Sequence, residues 1–272
     1  MLSAGFLILY MNRPITSRDN STYKRLLRLN RKKYRDREKM YLAEGENIVN
    51  EALRDEDCID LIVLREDMSS ALRQLREKTG KPVQILSSKL FDEVTDTQSA
   101  QGILAVVKKR MYDVNDIKDR CTDAANILVL DRLQDPGNIG TVIRTAEACG
   151  YGGVICMKGT VEPFSPKVVR AAAGALFRLP TVFLETPQEL LDFVRVLGKR
   201  LVVSKMDGKL AYFEADLREN VAIVIGNEGS GCSSEITAIA DEVVSIPMRG
   251  ESESLNASVA AAVLMYEAVR GL

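Results

Sequence analysis

From Asn126 onward the chain alternates short apolar runs with helical patterns: NILVLD, GGVICM, TVFL, RLVVS, VAIVIG and EVVSIP are each bounded by turn residues. Runs that are apolar throughout, rather than at every second position, predict strands buried on both faces and so a mainly parallel sheet covered by helices. A smaller alternating α/β unit precedes it. YLAEGENIVNEAL reads as strand, tight turn and helix, followed by the strand IDLIVL, the helix SALRQLREKTG closed by a glycine, and the strands PVQIL and QGILAVV. Between the two units, KKRMYDVNDIKDRCTDAAN is polar and poorly periodic, which predicts a linker. The expected organisation is a flexible N-terminal arm over 1–22, a small α/β domain over 23–110, a linker over 111–124 and a parallel-sheet domain over 125–272.

The apolar start MLSAGFLILYM is too short to span a bilayer, lacks a basic flank and has no clear cleavage site, so neither a membrane span nor a signal peptide is expected. Met11 precedes a normal polar lead-in, NRPITSRDNSTY, and is the expected true start; the alternative is an ordinary disordered arm.

Charge changes this picture only locally. With 37 basic and 38 acidic residues the net charge is −1, so nucleic-acid binding would have to come from clustering. The one strongly basic segment is YKRLLRLNRKKYRDREKMY, from Tyr23 to Tyr41. Leu26, Leu27 and Leu29 give it an apolar side, which predicts a helix with one packed face and one basic face. Lys24, Arg25, Arg28, Arg31, Lys32, Lys33 and Arg35 are the candidate phosphate contacts; a merely solvated charged helix is the plainer reading.

Composition also excludes chemistry. The 5 cysteines form no CxxC pair, which argues against a disulfide framework and fits a reducing, cytoplasmic setting. Histidine is absent, removing the usual general base, the usual zinc ligand and every Ser-His or Cys-His nucleophile. No metal is expected. Cys232 lies beside a candidate loop, yet without an imidazole it reads as a packing residue, like Cys149 and Cys156.

In an open parallel sheet, ligands bind outside the carboxyl ends of the strands. Three loops at such ends are rich in Gly, Asn and Ser: LVLDRLQDPGNIGTVIRTAEACG, VAIVIGNEGSGCSSEI and VVSIPMRGESESLN. A single glycine-rich turn is usually only a turn, whereas three on one sheet edge indicate a site. None has the GxxxxGK[ST] arrangement and no lysine sits among the glycines, which disfavours a triphosphate; GNIG has the wrong spacing for a dinucleotide. A nucleoside-like ligand without phosphates remains, held by backbone groups and by apolar residues such as Ile246, Met248 and Leu255.

DPGNIGTVIRTAEACG, IVIGNEGSG and IPMRGESESLNASVAAAVLMYE together resemble the SpoU (TrmH) family of SPOUT RNA methyltransferases, in the family's order and near its spacing. The segment with LAEGENIVNEAL and QGILAVV resembles the ribosomal-protein-like substrate-binding domain that often precedes the catalytic one. The resemblance implies a deep trefoil knot, an exception to unknotted topology, and S-adenosylmethionine bound in it. It also implies a homodimer and methylation of ribose 2′-hydroxyls in structured RNA, ribosomal RNA by preference and transfer RNA as the alternative. Carried over by position, Asn138, Arg144, Glu228, Ser254 and Asn256 are the candidate catalytic residues. Ser204, Gly226, Ile246, Met248, Leu255 and Asn256 are the candidate cofactor contacts.

A guanidinium stays protonated in nearly all proteins, so Arg144 is either a forced base or, by preference, a cation that grips phosphate and stabilises an emerging alkoxide. Glu228 is an alternative proton acceptor or a carboxylate that fixes its loop. Asn256 is placed to cap the last helix, with or without a further role in orienting Arg144. Two other functions stay open: a non-catalytic RNA-binding or ribosome-assembly protein on the same fold, and a nucleotide-dependent metabolic enzyme.

Overall fold

The computed structural model describes residues 13–71, 79–95, 100–120 and 125–271. The chain forms two compact units, one from residues up to Arg110 with Phe164–Gly174, the other from Met111–Pro163 and from Ala175 onward. The candidate start at Met11, most of the expected helix SALRQLREKTG and the end of the expected linker lie outside the described residues.

In the first unit the order is α1 (Ser21–Leu29), α2 (Lys32–Glu38), β1 (Met40–Glu44), α3 (Glu46–Ala52), β2 (Ile59–Arg65), β3 (Val83–Leu86), α4 (Ser88–Thr95) and β4 (Ile103–Lys108). The sheet order is β1-β4-β2-β3, with β4 antiparallel to both neighbours and β2 parallel to β3. Tyr23, Leu26 and Leu29 of α1 pack with Phe91 and Val94 of α4 over Leu42, Val63 and Val106 of the sheet. Residues 13–20, expected within a flexible arm, are tied down: Ile15 bridges to the β3 edge, its N–H donating to the Ile85 carbonyl at 2.8 Å.

The basic segment is two helices rather than one. Arg31 takes extended backbone, φ −105° and ψ 129°, and ends the first helix. Arg35, buried from α2, donates to the Leu29 carbonyl at 2.8 Å, satisfying one of the acceptors that a helix end leaves open.

The second unit contains α5 (Val114–Arg120), β5 (Ile127–Asp131), α6 (Pro136–Ala148), β6 (Gly153–Met157), α8 (Ala175–Arg178), β7 (Thr181–Leu184), α9 (Pro187–Val196), β8 (Arg200–Ser204), β9 (Leu210–Ala211), β10 (Val221–Gly226), α10 (Ser234–Ala238), β11 (Glu242–Ser245) and α11 (Ala257–Ala268). Its seven-stranded sheet has the order β7-β6-β5-β10-β8-β11-β9, and every pairing is parallel. β5 and β6 are buried along their whole length, as continuous apolar runs require. Local signals start the helices: Asp135 caps α6 with Pro136 after it, and Thr186 and Glu189 form a reciprocal capping box on α9.

Two stretches depart from the expected domain limits. Residues 114–120 of the expected linker form α5, because Ile117, with Val114 and Tyr112, packs into the core around Ile127, Ile155 and Val182. The remaining helix, α7 (Pro166–Ala172), belongs to the first unit although its sequence neighbours belong to the second. It packs on β1, where Arg170 pairs with Glu44 at 3.0 Å, and the ring of the preceding Phe164 lies tilted at 5.1 Å from that of Tyr41.

Asn126 closes the amino-terminal end of the parallel sheet. Its Nδ2 donates to the Leu217 carbonyl at 2.8 Å and its Oδ1 accepts from the Val221 N–H at 2.9 Å, all in the interior. Asn126→Ala leaves both groups buried without a partner and is expected to lower unfolding free energy by about 2–3 kcal/mol in urea titration.

Candidate active site

The parallel order places the carboxyl ends of β5, β10, β8 and β11 side by side. Gly226 pairs in register with Asp131, and Ser204 with Val244. Loops leave this edge into α6, α10 and α11, whose amino termini therefore lie on the side where such sheets hold ligands.

One hydrogen-bond chain joins three of these loops. Asn256 Nδ2 donates to Asn138 Oδ1 at 3.0 Å, and Asn138 Nδ2 donates to Glu228 Oε1 at 3.0 Å. Glu228 also accepts from the backbone N–H groups of Gln134 and Asp135, each at 3.3 Å. Partial burial works to raise the Glu228 carboxyl, but the hydrogen bonds from Asn138 and from the backbone outweigh it and hold the group below its ordinary value. Glu228 is thus a fixed carboxylate. Asn256 spends its amide on Asn138 and its carbonyl on α11: Oδ1 accepts from the N–H of Ser258 at 2.9 Å and of Val259 at 3.4 Å.

The loop after β10 is held equally tightly. Asn227 Nδ2 donates to the Arg132 carbonyl at 2.9 Å, and its Oδ1 accepts from the N–H groups of Gly229 and Ser230 at 3.0 and 3.1 Å. Beneath it the buried Asp131 accepts from the Ser233 N–H at 2.6 Å. Gly226 cannot carry a side chain, since a Cβ there would lie 2.2 Å from the Cys232 nitrogen. Arg132 adopts φ +59°, a strained conformation of the kind that gathers at sites. Burial, with Asp131 adding to it, pushes the Cys232 thiol up to about 12, and the sulfur donates to the Ser204 carbonyl at 3.4 Å, so it packs rather than reacts.

The other candidates stand around this frame. Arg144 lies on the exposed face of α6 with Gly137 and Thr141, and makes no hydrogen bond or ion pair among the described residues. Ser254 is exposed and likewise unengaged, while Ser204 and Gly226 end their strands. Ile246 is half-buried, and Met248 and Leu255 expose apolar surface on the loop between β11 and α11. Backbone groups, a glycine cradle and the apolar side chains of Ile246, Met248 and Leu255 suit an uncharged nucleoside portion. Sequence reasoning missed Asp131, Asn227 and the N–H donors of Gln134 and Asp135; only the Asp-Pro helix start at 135–136 was a signal for part of this set.

On the first unit, the basic candidates divide. Lys24 pairs with Asp19 at 2.8 Å, and Arg25 with Glu38 at 3.1 Å and Asp60 at 2.6 Å. Arg35 was an expected phosphate contact, but its burial against the Leu29 carbonyl removes it from that surface. Arg28, Arg31, Lys32 and Lys33 are exposed, with no ion pair among the described residues.

Comparison with known proteins gives this geometry a context. The SpoU rRNA Methylase family pattern matches residues 125–266, and that of the MRM3-like substrate binding domain matches residues 20–105. The 23S rRNA (guanosine(2553)-2′-O)-methyltransferase RlmP of Bacillus subtilis (strain 168) is 33% identical, over 93% of this chain and 97% of its own. An AdoMet-bound rRNA methyltransferase from Sinorhizobium meliloti superposes with a TM-score of 0.83 at 28% identity, over 96% of this chain and 98% of its own. The SpoU methyltransferase AviRb from Streptomyces viridochromogenes, in complex with the cofactor AdoMet, gives 0.82 at 29% identity, over 92% and 98%.

Proposed function

Because the chain belongs to the SpoU rRNA methylase family, we propose that it transfers a methyl group from S-adenosylmethionine to a ribose 2′-hydroxyl of ribosomal RNA. The observation that carries the site assignment is the hydrogen-bond chain from Glu228 through Asn138 to Asn256, which fixes three strand-end loops around one edge of the sheet. A transfer RNA substrate has less support, since the three relatives above are named as rRNA or SpoU enzymes.

S-adenosylmethionine, when bound, supplies a methyl group on a positively charged sulfur. Ser204, Gly226, Ile246, Met248, Leu255 and Asn256 would hold it: the strand ends and glycine cradle leave room for backbone contacts, and the three apolar side chains give the adenosine a dry wall. Arg144 acts as a cation. Protonated throughout, it holds the RNA phosphate and lowers the cost of ionising the 2′-hydroxyl, whose proton leaves to solvent. Glu228 acts through Asn138, keeping the loop in register. Its depressed proton affinity suits a fixed anion better than a base. Ser254 supplies a free hydroxyl beside the ribose.

β11 lies beyond β8, yet α11 packs back on α6 and β10, so the chain recrosses the sheet after Ser245. A Cβ on Gly208 would sit 2.7 Å from the Val244 carbonyl carbon, which supports a close crossing and the trefoil knot inferred for this fold. The exposed Val259 and Tyr266 on the outer side of α11 support a homodimer. Among the described residues no helix is long and apolar enough to cross a membrane and no cluster of ligating side chains could hold a metal; the rRNA named as the substrate of a relative supports a cytoplasmic place for the enzyme.

Methyl transfer from labelled S-adenosylmethionine to deproteinised ribosomal RNA, followed by alkaline hydrolysis, tests the assignment, because a methylated 2′-hydroxyl leaves an alkali-resistant dinucleotide. Arg144→Ala is expected to lower turnover on the order of a hundred- to a thousandfold, and Arg144→Lys to fall between it and wild type. Asn256→Asp keeps the cap but loses the donor to Asn138. It should leave unfolding free energy within about 0.5 kcal/mol and lower turnover on the order of a hundredfold.

A further inference from the structure

We propose that Tyr34, whose ring lies close to the guanidinium groups of Arg28 and Arg37, is a stacking seat for one unpaired base of the RNA substrate, a role resting on the reading that the first unit grips RNA. The Arg37 guanidinium carbon lies 4.9 Å from the ring centroid and that of Arg28 lies 6.0 Å from it. Tyr34 is half-buried, whereas Tyr23 of α1 is buried in an apolar core with Phe91 and Val94. Tyr23 gives its hydroxyl to Glu93, whereas the half-buried Tyr34 has a hydroxyl with no hydrogen bond among the described residues.

Its neighbours point to a nucleic acid. Lys24 and Arg25 are neutralised by carboxylates and Arg35 is buried, which leaves Arg28, Arg31, Lys32 and Lys33 as exposed cations of the α1–α2 turn with no ion pair among the described residues. Exposed cation–aromatic contacts contribute little to folding, which leaves the cluster without a structural purpose of matching size. Planar guanidinium and phenol groups are the surfaces on which splayed bases stack, while the flanking cations take the phosphates on either side. A paired duplex cannot use such a seat, because its bases stay inside the helix and its deep groove excludes side chains. The occupant is therefore a nucleotide in a loop or bulge.

The experiment titrates protein into a synthetic RNA hairpin carrying 2-aminopurine in its loop, and into the blunt duplex of the same stem. The chain has no tryptophan, so the probe's emission is read against tyrosine alone. Wild type and Tyr34→Phe are expected to quench the probe. Tyr34→Leu is expected to abolish the quench and weaken hairpin binding about tenfold, with duplex binding and salt dependence unchanged. Unchanged quench and affinity in Tyr34→Leu refute the seat. In that event a flatter salt dependence in Lys32→Glu/Lys33→Glu leaves the RNA grip standing, and an unchanged slope refutes it as well. Should Tyr34→Leu not fold, Arg28→Gln/Arg37→Gln replaces it, with loss of the quench expected and its retention overturning the proposal.

Discussion

Asn138 lies 90 residues before Glu228 and 118 before Asn256, and these three side chains from three strand-end segments spend their polar atoms on Asn138 at the centre of the hydrogen-bond chain or on adjacent backbone. Asn138 accepts from Asn256 and donates to Glu228; Asn256 donates to Asn138 while capping α11. A side-chain amide carries a donor and an acceptor, and here both orientations are set by the network. Replacing any member leaves a neighbour with an unmatched group, so the three side chains are oriented together. Arg144 and Ser254, which make no such bonds among the described residues, remain available to a substrate.

The sheet makes this meeting possible. Strands buried on both faces must be connected by helices, and parallel pairing then collects the strand-to-helix loops at one edge. Inserting β10 between β5 and β8 brings the loop with Glu228 next to the loop with Asn138. The return of α11 onto α6 adds the third. The chain contains no histidine, and the chemistry proposed for it is positioning and charge.

Much of this was legible in the sequence because the signals were local. Six fully apolar runs appear as strands of the parallel sheet, and Asn256 caps the last helix where hydroxyl-rich chain meets apolar chain. What was not legible depended on tertiary contacts. Nothing in YKRLLRLNRKKYRDREKMY distinguishes Arg35 from the cations around it; only the folded hairpin turns that residue inward to the Leu29 carbonyl. The polar stretch around Ile117 gave too little periodicity to outweigh its charge, yet three apolar residues sufficed to dock it. The placement of α7 with the first unit rests on the Glu44–Arg170 pair and on Phe164 against Tyr41, partners more than a hundred residues apart.

Whether the Asn138–Asn256 bond aligns the loops for methyl transfer is decided by a double-mutant cycle on kcat/KM with Asn138→Ala, Asn256→Ala and the pair. If the bond is the shared element, the double variant loses little more than the worse single one, a coupling of about 1 kcal/mol or more. Losses that simply add would contradict the account and make the two residues independent.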